Sequence, residues 1–369
     1  MIRLSSQSAA RVLVTVITLA LVALMFAVPA IASRAVVQDL FTVLTLLVLA
    51  LNWNMLAGFA GLVSVGQQAF VGIGAYAMFG AVILLGLDPL AGILIGGLAA
   101  MAFAVPMAFF AFRLNGAYFA IGTWAIADIA RLSAGQWKAL GGGTGTSLPK
   151  GTTRDMLGVP FVKDMLGISN AAASDAVTYW LALALVIVML GASFLFLRSR
   201  LGLGLQAVRD NVNAARSVGV DPLRLKALVF LLTAFGTGLC GALIFIQITR
   251  VTPDAAFSVI DWTAFVIFIV VIGGIGTLPG PILGVIIFYA LERLLADYGT
   301  LYLIVLGLIG IAIMLFARRG LWGLFSDRTG IDLLPLRHRP PSKPISMAAG
   351  SALEPTLGLN RPGGHTNII

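Results

Sequence analysis

Long apolar runs recur through this chain, at about 11–32, 36–57, 62–86, 88–113, 115–134, 177–197, 225–248, 261–275, 281–295 and 300–317. Most approach the ~20 residues that a helix needs to cross a bilayer. Hydrocarbon offers no partner for backbone N–H and C=O groups, so a run buried there must satisfy them internally, which a helix does within the run itself. Composition agrees: 11% of residues are charged, against about 25% in soluble domains. Many of the 42 glycines lie inside the apolar runs, where small residues let helices approach closely. The expected fold is an all-α polytopic membrane protein with about 8–10 transmembrane helices over residues 1–325, followed by a tail over 326–369.

Charge sets the expected topology. Arg3 and Arg11 precede the first run, and Ala30-Ile31-Ala32 fits a signal cleavage site. The run before it is longer than a signal-peptide core, which favours a retained first helix with a cytoplasmic N-terminus. Residues 135–176 carry Lys138, Lys150, Arg154 and Lys163 against Asp155, Asp164 and Asp175. Residues 198–226 carry Arg198, Arg200, Arg209, Arg216, Arg224 and Lys226 against Asp210 and Asp221. One apolar run separates the two loops, so they face opposite sides, with 198–226 in the cytoplasm by the positive-inside rule. Alternating from a cytoplasmic N-terminus gives ten crossings and a cytoplasmic C-terminus. Two places stay open: 62–86, an unbroken crossing or a broken or re-entrant one, and the 261–295 pair, where Gly276-Thr277-Leu278-Pro279-Gly280-Pro281 makes a tight turn. In the tail, Pro340, Pro341 and Pro344 argue against helix and for disorder.

Loop 198–226 holds one amphipathic stretch. Leu205, Val208, Val212 and Ala215 share a helical face, and Gln206, Arg209, Asp210, Asn213 and Arg216 fall on the other. Gly219 ends the pattern, and Asp221-Pro222 reads as the N-cap and first position of the next helix. A single helix over 205–219 is expected, lying in the headgroup layer or open to a soluble partner.

Most chemistry is missing. The two histidines, His338 and His365, both lie in the tail, and Cys240 is the one cysteine, so no metal cluster, disulfide or nucleophile–base pair is expected in the membrane part. Gly141 to Thr146 lacks the Lys-Ser/Thr ending of a phosphate loop and any βαβ context; a resident nucleotide or other cofactor is not expected, and ATP, if used, binds another subunit. The basic residues border apolar segments rather than forming a nucleic-acid surface. Of the carboxylates, Asp128 pairs with Arg131 one turn on, Glu292 stands beside Arg293, and Asp39 and Asp261 lie near segment ends. For solute contact, Ser64, Gly66, Gln67 and Gln68 interrupt an apolar run. A broken helix can turn such amides and free backbone groups toward a solute, or the same residues can bond helix to helix, at about 0.6 kcal/mol each. Tyr118, Thr123 and Trp124 in the fifth run are further candidates, with packing as their alternative.

Several stretches in fixed order resemble one family. Asn54-Met55-Leu56-Ala57-Gly58, Gly61-Leu62-Val63-Ser64-Val65-Gly66-Gln67-Gln68-Ala69-Phe70 and Gly72-Ile73-Gly74-Ala75-Tyr76 come first. Gly116-Ala117-Tyr118-Phe119-Ala120, Gly141-Gly142-Gly143-Thr144, and Ala207-Val208-Arg209-Asp210-Asn211 with Ala214-Ala215 and Gly219 follow. Val271 to Pro281 and Ala317-Arg318-Arg319-Gly320-Leu321-Trp322-Gly323 complete the series. Together they are similar to LivM-type permease subunits of branched-chain amino-acid ABC transporters, over roughly 40–325. The resemblance implies a multi-pass protein of the bacterial inner membrane. It would pair with a homologous permease subunit, two cytoplasmic ATP-binding subunits and a periplasmic solute-binding protein, and would import branched-chain or related hydrophobic amino acids. It further implies that Arg209, Asp210, Asn213, Ala214, Ala215, Arg216 and Gly219 dock the ATPase. Gln67 beside Gln68 departs from relatives that often carry His or another polar residue there, so urea or short amides are the alternative cargo. A stand-alone channel, a secondary carrier and an intramembrane enzyme are the alternatives from other classes.

Overall fold

The computed structural model describes residues 20–295, 298, 301–316 and 320–329. Helix α1 (Ala20–Ile31) leads through Ser33 into α2 (Arg34–Asn54), which ends in a π-helical turn at Met55–Phe59. An extended stretch over 61–66 connects to α3 (Gln67–Leu85), followed by α4 (Pro89–Ala111) and α5 (Ala117–Gly135). A polar loop with the short α6 (Val159–Leu166) leads to the long α7 (Asn170–Arg198). Then come α8 (Arg200–Asp210), α9 (Val212–Ser217) and α10 (Pro222–Ile248). The chain finishes with α11 (Pro253–Ala256), a π turn at Ile260–Ala264, α12 (Phe265–Gly273), α13 (Gly280–Leu295), α14 (Leu301–Phe316) and α15 (Gly320–Thr329). The described sheet is one antiparallel pair, β1 (Thr146–Ser147) with β2 (Arg250–Val251).

Among the described residues, six stretches are long and apolar enough to cross a membrane: Arg34–Phe59, Gln67–Leu85, Pro89–Ala111, Asn170–Arg198, Pro222–Ile248 and Pro253–Gly273. Helices also stand at the other four apolar runs of the sequence, as α1, α5, α13 and α14. Of these α13 and α14 have 16 residues each, about 24 Å of rise, less than the ~30 Å hydrocarbon core. The expected helix starts are present: Asp88 Oδ1 accepts from Leu90 N at 2.8 Å ahead of Pro89, and Asp221 Oδ1 from Leu223 N at 3.0 Å ahead of Pro222. Helix α15 runs to Thr329, past the 326 boundary drawn from composition; the rest of the expected tail lies outside the described residues.

Helices α3, α4 and α10 form the tightest part of the bundle. Glycines make this possible. A methyl group built on Gly238 of α10 would sit 2.9 Å from the Gly96 carbonyl oxygen and 3.1 Å from Gly97 Cα, both on α4. One built on Gly74 of α3 would sit 2.7 Å from Gly238 Cα. Three backbones meet where any side chain would hold them apart.

The end of the bundle far from α8 and α9 is tied by charge. Asp175, at the start of α7, is 6% exposed. It accepts from Arg34 Nε, from Gln38 Nε2 at 2.9 Å and from Gln247 Nε2 at 3.0 Å. Thr178 Oγ1 holds Gln247 from the other side at 2.9 Å. The starts of α2 and α7 and the end of α10 are thus knotted on one buried carboxylate. Nearby, Arg131 bonds both Asp128, as its spacing implies, and Asp254, each at 2.8 Å. Arg293, in contrast, turns from its neighbour Glu292 to Asp39 on α2, at 3.3 Å. Asp175→Leu is expected to cost about 3 kcal/mol, because the cation and amides that face it lose a satisfied buried partner. The check is thermal unfolding of the detergent-purified chain; an unchanged midpoint would show that the knot adds nothing to stability.

Candidate functional site

At the near end, residues 198–226 fold as a ledge. Leu205 is 0%, Val208 1% and Ala215 2% exposed, so the apolar face lies on the bundle as its spacing requires. The helix itself is not single. Asn211 takes an extended conformation (φ −156°, ψ 107°) and its Oδ1 accepts from Asn213 N and Ala214 N, both at 3.0 Å. A side chain able to cap its own downstream amides competes with the helix at that point and wins. The expected 205–219 helix is therefore two, α8 and α9. Gly219, at φ 84°, ends the second.

The ledge presents its polar residues unequally. Arg209, Asp210, Asn213, Ala214, Arg216 and Gly219 are exposed, whereas Ala215 is buried beneath them. Arg209 reaches inward. Its Nη1 donates to the Gly58 carbonyl in the π turn that ends α2, at 2.9 Å, while Nε stays 3.0 Å from Asp210 Oδ1. On the other side of the same turn, Asn54 is fully buried; its Nδ2 donates to Thr277 O and its Oδ1 accepts from Gly276 N, both at 2.8 Å. Gly58 has no room for a side chain here: a methyl group would sit 2.5 Å from Gly276 N. One arginine and one asparagine therefore bind the ledge, the end of α2 and the Gly276 turn into a single block.

From this block residues 61–66 lead to α3. Gly61 and Val63 are exposed and Val65 half-buried, while Leu62, Ser64 and Gly66 are buried, the alternation of an extended strand. The apolar break lies here, ahead of the Gln pair, and α3 then runs unbroken for 19 residues. Gln67 Nε2 donates to Thr237 Oγ1 at 2.8 Å. Thr237 lies 15 residues into α10, roughly 22 Å along its axis, so non-helical backbone reaches well into the bundle. Such backbone survives at depth only where partners replace water. Hydroxyls supply them: Val65 N donates to Thr123 Oγ1 at 3.1 Å, Gly66 N to Ser64 Oγ at 3.2 Å, and Gln68 N to Thr263 Oγ1 at 3.2 Å. Thr263 returns its proton to Gln68 Oε1, and Trp53 Nε1 fixes Ser64 O at 2.8 Å.

Five of the seven candidate path residues thus meet. Ser64, Gly66, Gln67, Gln68 and Thr123 converge and are buried, with Gln67 Oε1 among the described buried polar atoms that lack a partner. Tyr118 and Trp124 stand apart, 72% and 50% exposed. Asn54, Thr237 and Thr263, which the sequence reading missed, complete the arrangement; each is a polar residue within an apolar run, the one signal that could have marked it. A cleft of about 340 Å³ opens along the outer side of the extended stretch, lined by Gly61, Val63, Asn115, Phe119, Ala120 and Lys226. No group of three or more metal-ligating side chains occurs among the described residues.

The family model described as branched-chain amino acid transport system / permease component matches residues 35–317. The chain is 30% identical to the high-affinity branched-chain amino acid transport system permease protein LivM of Escherichia coli (strain K12), over 82% of this chain and 73% of the relative. It is 28% identical to the LivM protein of Salmonella typhimurium (strain LT2) over the same shares. To the permease protein BraD of Pseudomonas aeruginosa (strain PAO1) it is 29% identical over 37% of this chain and 44% of that protein. No solved structure matches.

Proposed function

Because the chain belongs to the branched-chain amino acid transport system permease family, we propose that it is the translocation subunit of an ATP-driven importer in a bacterial inner membrane. Its cargo is a branched-chain or related hydrophobic amino acid, in keeping with the printed names of its relatives. Separate ATP-binding subunits press on the ledge, a homologous permease subunit completes the pathway, and a solute-binding protein delivers the cargo. The N-terminus, the ledge and the C-terminus lie in the cytoplasm by the distribution of Lys and Arg. Arg209 carries this reading. It is the ledge residue bonded to the end of α2, so movement of the ledge displaces the Gly58 turn and, through residues 61–66, the Gln67–Gln68 start of α3. A motor that favours one position of the ledge then shifts the whole block between two states.

The state described here is closed around Gln67 and Gln68; opening it would free their amides for the cargo. Gln67→Leu is expected to change stability by no more than about 1 kcal/mol, since it loses one hydrogen bond and also one unpaired buried oxygen. Uptake is expected to fall about tenfold or more, the effect of removing one good polar contact; full uptake in this variant would leave Gln67 a packing residue only. The function as a whole is tested in proteoliposomes that hold the assembled complex, with labelled leucine and labelled urea in parallel. Leucine uptake that needs both ATP and the ATPase subunits is the expected result. Uptake by this chain alone would replace the importer with a carrier, and preference for urea would change the cargo.

A further inference from the structure

A second feature, away from the ledge contacts, calls for a different ligand. The second half of α4 and the first half of α10 part to leave a groove of about 430 Å³, walled by Val105, Phe109 and Phe112 on one side and Leu223 and Leu231 on the other. Both helices are long and apolar enough to span the membrane, so the groove opens to acyl chains rather than to water. Its walls are exposed: Val105 is 57%, Phe109 58% and Leu223 61% accessible.

One polar side chain closes the groove, at its near end. The Arg113 guanidinium carbon lies 4.2 Å from the centroid of the Phe109 ring, which props it beside the mouth. Arg113 has no ion pair among the described residues, and neither has Lys226, which lines the adjoining cleft. Arg224 differs, paired with Asp221 at 3.0 Å. An apolar trough in hydrocarbon, headed by a cation without a carboxylate, is complementary to a molecule with an acyl chain and an anionic head.

We infer that this groove binds an anionic glycerophospholipid of the leaflet on the ledge side, one chain between α4 and α10 and the phosphate on Arg113. The lipid bridges α4 to the start of α10, the helix that follows the ledge. It is independent of the transported cargo.

The test uses the full-length chain in nanodiscs of phosphatidylglycerol or phosphatidylcholine, followed by delipidation and native mass spectrometry. Retention of phosphatidylglycerol over phosphatidylcholine is expected. Arg113→Gln is expected to lower that retention about tenfold, the effect of losing a charge-assisted contact, with Arg113→Lys intermediate and Arg224→Gln unchanged. Ala227→Trp fills the groove and is expected to expel the lipid with Arg113 intact, which separates the trough from the charge. A photo-crosslinker at position 109 should form a lipid adduct. Equal retention of the two lipids, retention untouched by Arg113→Gln, competition by inorganic phosphate alone, or an adduct to a second permease subunit would each overturn the assignment.

Discussion

Arg209→Glu is expected to leave the subunit folded in the membrane while uptake falls below about a tenth, with ATP hydrolysis by the complex continuing. The reason is local. Arg209 Nη1 sits 2.9 Å from the Gly58 carbonyl and Nη2 3.0 Å from Asp210 Oδ1. A glutamate there would set a carboxylate against an oxygen it cannot bond and beside a like charge. Loss of the bond costs about 1–3 kcal/mol, since Gly58 O is left without a donor. The apolar face beneath, with Leu205 and Val208 buried, keeps the ledge in place. Arg209→Lys is the informative partner: it keeps the charge but loses the planar fork that reaches Gly58 and Asp210 together, and should recover part of the uptake. The assay compares membrane-fraction abundance, leucine uptake and ATPase rate for the three proteins. Normal uptake with glutamate at 209 would remove the arginine from the coupling path.

Gly238→Leu should have the larger effect on the fold itself. Overpacking in a close-packed interior costs typically 1–3 kcal/mol where neighbours can shift. Here the obstacles are the Ala100 methyl, nearest of all, and backbones: Gly96 O at 2.9 Å and Gly97 Cα at 3.1 Å from the added carbon, with Gly74 of α3 on a third side. Backbones cannot change rotamer, so α3, α4 and α10 must separate as units, and loss above about 3 kcal/mol is expected. Gly191→Leu on α7 is the matched control, because nothing lies within 4 Å of its added carbon. Size-exclusion profiles and melting of both variants read the difference. A monodisperse Gly238→Leu subunit with an unchanged melting point would mean that the three helices do not meet as described.

Much of this was legible in the residue pattern. The apolar runs mark the helices, the 3–4–3 spacing of Leu205, Val208, Val212 and Ala215 gives the inward side of the ledge, with Val212 half-buried, and Asp-Pro at 88–89 and 221–222 gives two helix starts. The polar break before α3 was also visible. Its partners were not, because Gln67 meets Thr237 and Gln68 meets Thr263 across 170 and 195 residues. A threonine in an apolar run looks the same whether it faces another helix or bonds its own preceding carbonyl, as Thr45 does to Phe41 O at 3.0 Å. Asp175 reads as a loop charge until the fold brings Arg34 and Gln247 to it. The break at Asn211 was hidden for a different reason: hydrophobic spacing continues through it, and only the Asn side chain's competition for two amides stops the helix.

The stretch between Gly61 and Gly66 has a consequence for which changes this protein can tolerate. Its side chains alternate between the cleft and the interior, and Trp53 and Thr123 pin it at Ser64 and Val65. Adding or deleting one residue there would send every following side chain to the opposite face, turning valines onto the hydroxyl cluster and Ser64 out into the cleft. Point substitutions at Val63, by contrast, alter only the cleft wall, whereas Gly61 is held by its φ of 68° and by Arg209 Cγ, 3.4 Å from any added Cβ. Over evolutionary time this linker should vary in composition at Val63 while Gly61 and the length stay fixed.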